Sequence, residues 1–160
     1  SIVEEDWSGP AKEMMAKAKK SQCTLQLPVD FIAADAFAED ANTKVVGREE
    51  IPSDMMGLDI GPATCELFKS EIATAKTIFW NGPMGVFEMK AYEAGTKEVA
   101  EAVGRNNRAV SVIGGGDSVA ALKKFKLEDR VTFVSTGGGA SMKLLEGVAL
   151  PGVEALLDAE

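Results

Sequence analysis

Three times in its second half the sequence sets a glycine-rich turn directly behind a short apolar run. Asn81-Gly82-Pro83-Met84-Gly85 follows Thr77-Ile78-Phe79-Trp80, Gly114-Gly115-Gly116-Asp117-Ser118 follows Ala109 to Ile113, and Thr136-Gly137-Gly138-Gly139-Ala140-Ser141 closes the run Val131 to Ser135. Helical spacing resumes after each turn, at about Tyr92 to Val103, Asp117 to Phe125 and Ala140 to Glu146. Strands alternating with helices at this interval predict right-handed crossover units and a parallel sheet covered on both faces. Parallelism then fixes where the turns go: all three emerge at the same carboxyl edge, where open α/β folds bind their ligands.

The first half carries weaker signals. Ala11, Met14, Met15 and Ala18 follow helical spacing up to Lys20, with Pro10 in the first turn, and predict an amphipathic helix. Thr24 to Ala33 reads as a buried strand interrupted at Pro28, Asp35 to Asn42 as a loop, Lys44 to Gly47 as a short edge strand and Ile51 to Asp59 as irregular. Gly61-Pro62 opens a helix whose Leu67, Phe68, Ile72 and Ala75 line one face through to Lys76. Pro151 to Leu157 predicts a last short helix. A length of 160 residues with 46% hydrophobic content suits one domain, 1–160, with its own core.

Composition narrows the chemistry. With 17 basic against 25 acidic residues the net charge is −8, which argues against nucleic acid or an anionic membrane as partner. Histidine is absent, so a histidine base, a Ser-His-Asp triad and most zinc sites are excluded. Cys23 and Cys65 stand in no metal-ligand or redox spacing and read as free thiols in a reducing compartment. No apolar stretch is long enough to span a bilayer and no signal segment opens the chain, which reads as a cytoplasmic protein. The start at Ser1 resembles a cut in a longer protein, and removal of an initiator methionine accounts for it equally.

A glycine rim favours phosphate, because glycines let backbone N–H groups approach an anion and the following helices point their positive ends at it. Glycine also makes a strand-to-helix turn tight for purely structural reasons. Asp117 fits a magnesium ligand beside bound phosphates, and fits a helix N-cap equally. Ser118 divides between a phosphate contact and a first-turn residue, and Glu88 between a ribose contact and a solvated charge. Trp80 reads as core, Met14, Met15, Met55 and Met56 as packing residues, and Lys123, Lys124 and Lys126 as a solvated helix end. Neither G-x-G-x-x-G nor a Walker A pattern occurs.

Taken in order, Asp59-Ile60-Gly61-Pro62, Thr77 through Glu88, Ile113 through Ser118 and Ser135 through Ser141 resemble the C-terminal lobe of phosphoglycerate kinase, and Leu27-Pro28-Val29-Asp30 and Leu144 through Val153 fit the same family. The resemblance implies a Rossmann-like three-layer αβα fold with a parallel sheet, and reversible phosphoryl transfer between 1,3-bisphosphoglycerate and ADP in glycolysis, with Mg2+ on the nucleotide. It also implies a monomeric parent protein. By the same resemblance Asp117 binds the magnesium, Glu88 the ribose, and Asn81, Pro83 and Val86 line the nucleotide pocket. Gly114, Gly115, Gly116 and Ser118 meet phosphates, while Gly137, Gly138 and Gly139 face the transferring group.

The sequence also departs from that family. The N-terminal lobe with its phosphoglycerate-binding basic patch and catalytic arginine is absent, as is the front of the C-terminal lobe with its phosphate-binding lysines and part of the adenine pocket. The expectation is weak or no kinase activity from these residues alone, with Val153, Leu156 and Leu157 either left partly exposed or covered by a partner chain. A standalone nucleotide- or phosphate-binding module, regulatory or structural and without chemistry, shares the same rim. A dehydrogenase half fits poorly, because the dinucleotide fingerprint is missing.

Overall fold

The computed structural model describes residues 4–135 and 137–156. Helix α1 (Ser8–Lys19) forms where the spacing predicts it but buries none of its residues, and Met14 is 61% exposed. Good helix formers such as Ala, Met, Lys and Glu support the helix locally without an apolar partner, so its methionines pack against no core. The segment 24–29 is not a strand. Pairing starts only at β1 (Asp30–Ala34), beyond Pro28, and Leu25, Leu27 and Val29 stay exposed.

Strand β1 lies between β2 (Thr43–Gly47) and β3 (Met56–Ile60) and runs antiparallel to both, with Phe31 opposite Val46 on one side and Ile60 on the other. The stretch Ile51 to Asp59, read as irregular, therefore ends in a strand. Gly57 and Asp59 hid it, because neither favours a strand, and the β1–β3 register shifts between Ile32 and Ala33.

Pro62 occupies the first turn of α2 (Pro62–Thr74), which buries Thr64 and Cys65 and packs Phe68 and Ile72 behind them. Next come β4 (Thr77–Asn81), α3 (Ala94–Arg105), β5 (Val110–Gly114), α4 (Gly116–Phe125), β6 (Phe133–Ser135), α5 (Gly138–Leu145) and the short α6 (Pro151–Glu154). Strands β4, β5 and β6 form the predicted parallel sheet in that order, with Trp80 opposite Ile113 and Ile113 opposite Val134.

Helix α3 buries Thr96, Val99, Ala100 and Val103, and α4 buries Ser118, Ala121 and Leu122, each an i, i+3, i+4 stripe. These stripes meet Trp80, Ile113, Ile60 and Cys65 in the main core. Both cysteines are free, and burial pushes the Cys65 thiol up to about 11, so it behaves as an inert packing group. On the side of the sheet opposite Trp80 and Ile113, Phe79 and Val112 are half-buried, while Val110 and Phe133 are exposed, Phe133 at 59%. Val153 and Leu156 are also exposed, as anticipated, while Leu157 and Thr136 lie outside the described residues.

Candidate functional site

Because β4, β5 and β6 run parallel, their carboxyl ends deliver the three glycine turns to one edge, and there the turns touch. The Gly82 N–H donates to Ser118 Oγ at 2.6 Å, which ties the first turn to the start of α4. The Asn81 side-chain oxygen lies against Gly115, so close that a Cβ on Gly115 would sit 2.8 Å from it. Gly138 is packed on Gly115 in turn: a Cβ there would overlap the Gly115 backbone nitrogen and come within 2.7 Å of its Cα. Gly115 itself has φ 87°, a left-handed conformation that glycine adopts without strain.

The rim thus has a closed inner side and an open outer one. A Cβ on Gly116 or on Gly139 would meet nothing within 4 Å. These two residues stand in the first turns of α4 and α5, whose leading N–H groups lack carbonyl partners within the helix. Two helix starts therefore face open space side by side.

Asp117 is exposed and is the second residue of α4. The cap position belongs to Gly115 and no side-chain cap bond is made, so the capping explanation for Asp117 does not apply. Among the described residues no three of His, Cys, Asp and Glu gather into a metal cage. Asp117 is a single carboxylate beside the unpartnered N–H groups of a helix start, and Mg2+ can be held by one protein carboxylate because it takes most of its ligands from water and phosphates. Ser118 is buried, and its hydroxyl joins two turns. Ser135 Oγ and Ser141 Oγ stand 3.0 Å apart beneath the third turn, and Ser135 also accepts the Gly137 N–H.

Pro83, Val86 and Glu88 lie on the segment leading from β4 to α3. Met84 and Gly85 donate their N–H groups to the buried Thr96 hydroxyl of α3, and Val86 donates to Leu58 O at 2.8 Å. The Val86 side chain packs with Ala34, Leu58 and Tyr92, so it belongs to the antiparallel sheet's core as much as to the rim. Glu88 is exposed. Lys124 is exposed as expected of the helix end but is not free, since its ammonium donates to Phe87 O at 2.6 Å and pairs with Glu93 at 2.8 Å. Lys123 and Lys126 are exposed as expected.

Sequence reasoning missed two buried aspartates that orient the helices around the site. Asp30 accepts the N–H groups of Ala63 and Thr64 and the Thr64 hydroxyl, capping α2 from β1. Burial opposes its ionisation, but the bonds from Thr64 and Ala63 outweigh burial and hold the carboxyl below its ordinary value. Asp59 accepts the N–H groups of Gly95, at the start of α3, and Ile60, at 2.7 and 2.9 Å. Burial pushes its carboxyl up to about 6 against those two bonds, and the nearby Glu98 adds to the rise. Gly85 and Gly95 both press on Asp59, where a Cβ would overlap its carboxylate. Acids in otherwise apolar strands were the available signal, since an unpaired carboxylate is seldom buried.

A sequence model of one family, described as phosphoglycerate kinase, matches residues 1–148. The phosphoglycerate kinase of Acidobacterium capsulatum is 55% identical over 159 residues, covering 99% of this chain and 39% of the relative. That of Rubrobacter xylanophilus is 53% identical over 160 residues, covering 100% and 40%. The solved phosphoglycerate kinase of Coxiella burnetii aligns with a TM-score of 0.91 at 42% identity, over 96% of this chain and 40% of its own. The Pyrococcus horikoshii enzyme aligns with a TM-score of 0.79 at 32% identity, over 94% and 36%. The chain therefore spans about 40% of the length of the curated relatives it matches.

Proposed function

The chain belongs to the phosphoglycerate kinase family, and from that premise we propose that it binds magnesium ADP or ATP on its glycine rim, as the nucleotide half of reversible phosphoryl transfer between 1,3-bisphosphoglycerate and ADP. The observation that carries this reading is the contact of the three turns, with Asn81, Gly115, Ser118 and Gly138 packed together and Gly116 and Gly139 opening outward. Backbone N–H groups at the starts of α4 and α5 receive the phosphates, with Gly114 and Gly115 setting the turn. Asn81, Pro83 and Val86 wall the nucleotide, and Glu88 accepts hydrogen bonds from the ribose hydroxyls. Ser118 acts here by holding the first turn against the second. Gly137, Gly138 and Gly139 face the transferring group.

Mg2+, when bound, neutralises charge between the nucleotide phosphates, and Asp117 is the residue that would hold it. Rate enhancement by such a site comes from positioning and charge stabilisation, which needs no histidine base. The phosphoglycerate site belongs to the N-terminal lobe of the whole protein, a cytoplasmic monomer in this reading, and lies outside these residues.

Two measurements test it. Calorimetry of the 160-residue chain with ADP and Mg2+ should show magnesium-dependent binding that Asp117→Ala weakens by about tenfold, the worth of one charge-assisted contact. Unchanged binding in the variant removes Asp117 from the metal site. A coupled assay for ATP formation from 1,3-bisphosphoglycerate should give no rate above blank, and a clear rate would mean that the chain supplies the acidic substrate's cationic partners itself.

A further inference from the structure

One cation reaches the site from behind. Lys124 lies seven residues after Asp117 on α4, two helical turns away, so the helix that presents Asp117 at its start carries Lys124 on the same side near its end. Its ammonium donates to Phe87 O at 2.6 Å and approaches Glu88 O at 3.4 Å, while Glu93 Oε2 holds it at 2.8 Å. The side chains of the pair are 35% and 21% exposed, so solvent screens the interaction only in part.

The segment it grips is held by side-chain packing, with Phe87 buried in the main core and Val86 and Met89 on the antiparallel sheet's cluster, but its backbone has few long-range bonds. Phe87 N–H bonds to Gly85 O and Met89 N–H to Val86 O, both local turns that shape the segment without placing it over α4. The longer-range anchors flank it: Val86 N–H on Leu58 O, and Lys90 N–H on Glu39. Between them Lys124 bonds to the Phe87 and Glu88 carbonyls. Glu93 directly precedes α3, where an acid is favoured by the helix start, so the ion pair also joins α3 to α4.

We infer that Lys124 is a positioning residue for the nucleoside: clamped by Glu93, it fixes the Phe87 and Glu88 carbonyls and so sets the Glu88 carboxylate at the distance where ribose hydroxyls arrive. The inference rests on the nucleotide reading above and adds a residue to it. A displacement of about 1 Å in such a group costs far more than its own contact energy, because the hydrogen bonds it makes are directional.

The test is calorimetry of the chain, in Mg2+, with ADP, 2′,3′-dideoxy-ADP and pyrophosphate. Wild type should prefer ADP to the dideoxy analogue by about tenfold, the worth of hydrogen bonds to a carboxylate. Glu88→Gln should bring that preference close to one. Lys124→Gln should narrow it to about threefold or less with pyrophosphate affinity unchanged, and combining the two should add little, since both act through one carboxylate. Equal losses for all three ligands, or an unchanged preference, overturn the inference while leaving the nucleotide reading intact. Wild type that binds no ADP rejects that reading, and wild type without a hydroxyl preference removes the role of Glu88; either outcome overturns the inference as well. Should Lys124→Gln fail to fold, Glu93→Gln decides: a narrowed preference supports the clamp, and an unchanged one refutes it.

Discussion

The two three-stranded sheets of this chain are held in place by different physics. The parallel sheet is positioned by packing: Trp80 and Ile113 are sealed by α3 and α4 in a core that also takes Ile60 and Cys65. The antiparallel sheet has a smaller apolar cluster, Ala34, Leu58 and Tyr92, and its attachments are largely polar. Asp30 grips the start of α2, Asp59 grips the start of α3, and Tyr92 donates its hydroxyl to Ala38 O at 2.7 Å. Hydrophobic packing is indifferent to pH and tolerant of small angular errors, whereas a buried carboxylate is directional and titratable. One sheet gives the site rigidity, and the other sets the orientation of the helices around it.

The largest effect should come from the parallel side. Leu122 is fully buried, and Leu122→Ala should lower unfolding free energy by about 3 kcal/mol at every pH, as cavity-forming substitutions do. A loss that varied strongly with pH would break the comparison.

Asp59 should behave oppositely. Its carboxyl titrates at about 6 in the folded chain and at 3.8 when unfolded, so the folded state binds the proton more tightly. Its contribution is fully present below pH 3.8 and disappears as pH rises through about 6, a swing of up to about 3 kcal/mol. Urea denaturation from pH 7 to pH 5 should show stability rising on acidification, and Asp59→Asn should flatten that limb. A slope identical to wild type would exonerate Asp59. Asp30 has the reverse sign: its lowered pKa stabilises the fold above 3.8 and that stability is lost as pH falls below it. Asp30→Asn should therefore soften acid unfolding.

A smaller loss is expected from Thr64→Val. The Thr64 hydroxyl accepts the N–H groups of Val29 and Asp30 and donates to the Asp30 carboxylate at 2.6 Å. Leaving those partners unpaired should cost about 2 kcal/mol and raise the pH midpoint of acid unfolding. Smallest of all, Asp117→Ala should change stability by no more than about 0.5 kcal/mol, because an exposed residue without a cap bond supports the fold little. A large loss of stability there would make Asp117 part of the scaffold and undercut its assignment to the metal.

Much of this contrast was hidden in the letters. The strand–turn–helix repeat from Thr77 onward appeared with boundaries shifted by only a few residues, because its strands and helices each carry a clear period and its turns carry glycine. The first half misled where periodicity was overruled. Leu25, Leu27 and Val29 alternate like a strand but join no sheet, and Met56 to Ile60 pairs with β1 despite its glycine and its acid. Lys124 looked like its exposed neighbours Lys123 and Lys126, since nothing local distinguishes a lysine that reaches across a groove.

The sequence by itself determined the parallel pairing, the glycine-rich turns and the family, because each rests on short-range pattern: apolar periods, turn residues and runs of matching letters. Only the tertiary structure decided that Asn81, Ser118 and Gly138 close on Gly115, that Asp30 and Asp59 cap helices more than 30 residues further on, and that Val110 and Phe133 of the parallel sheet stay exposed. Those outcomes depend on hydrogen bonds and packing between segments distant along the chain, which arise only when the whole backbone has chosen its path.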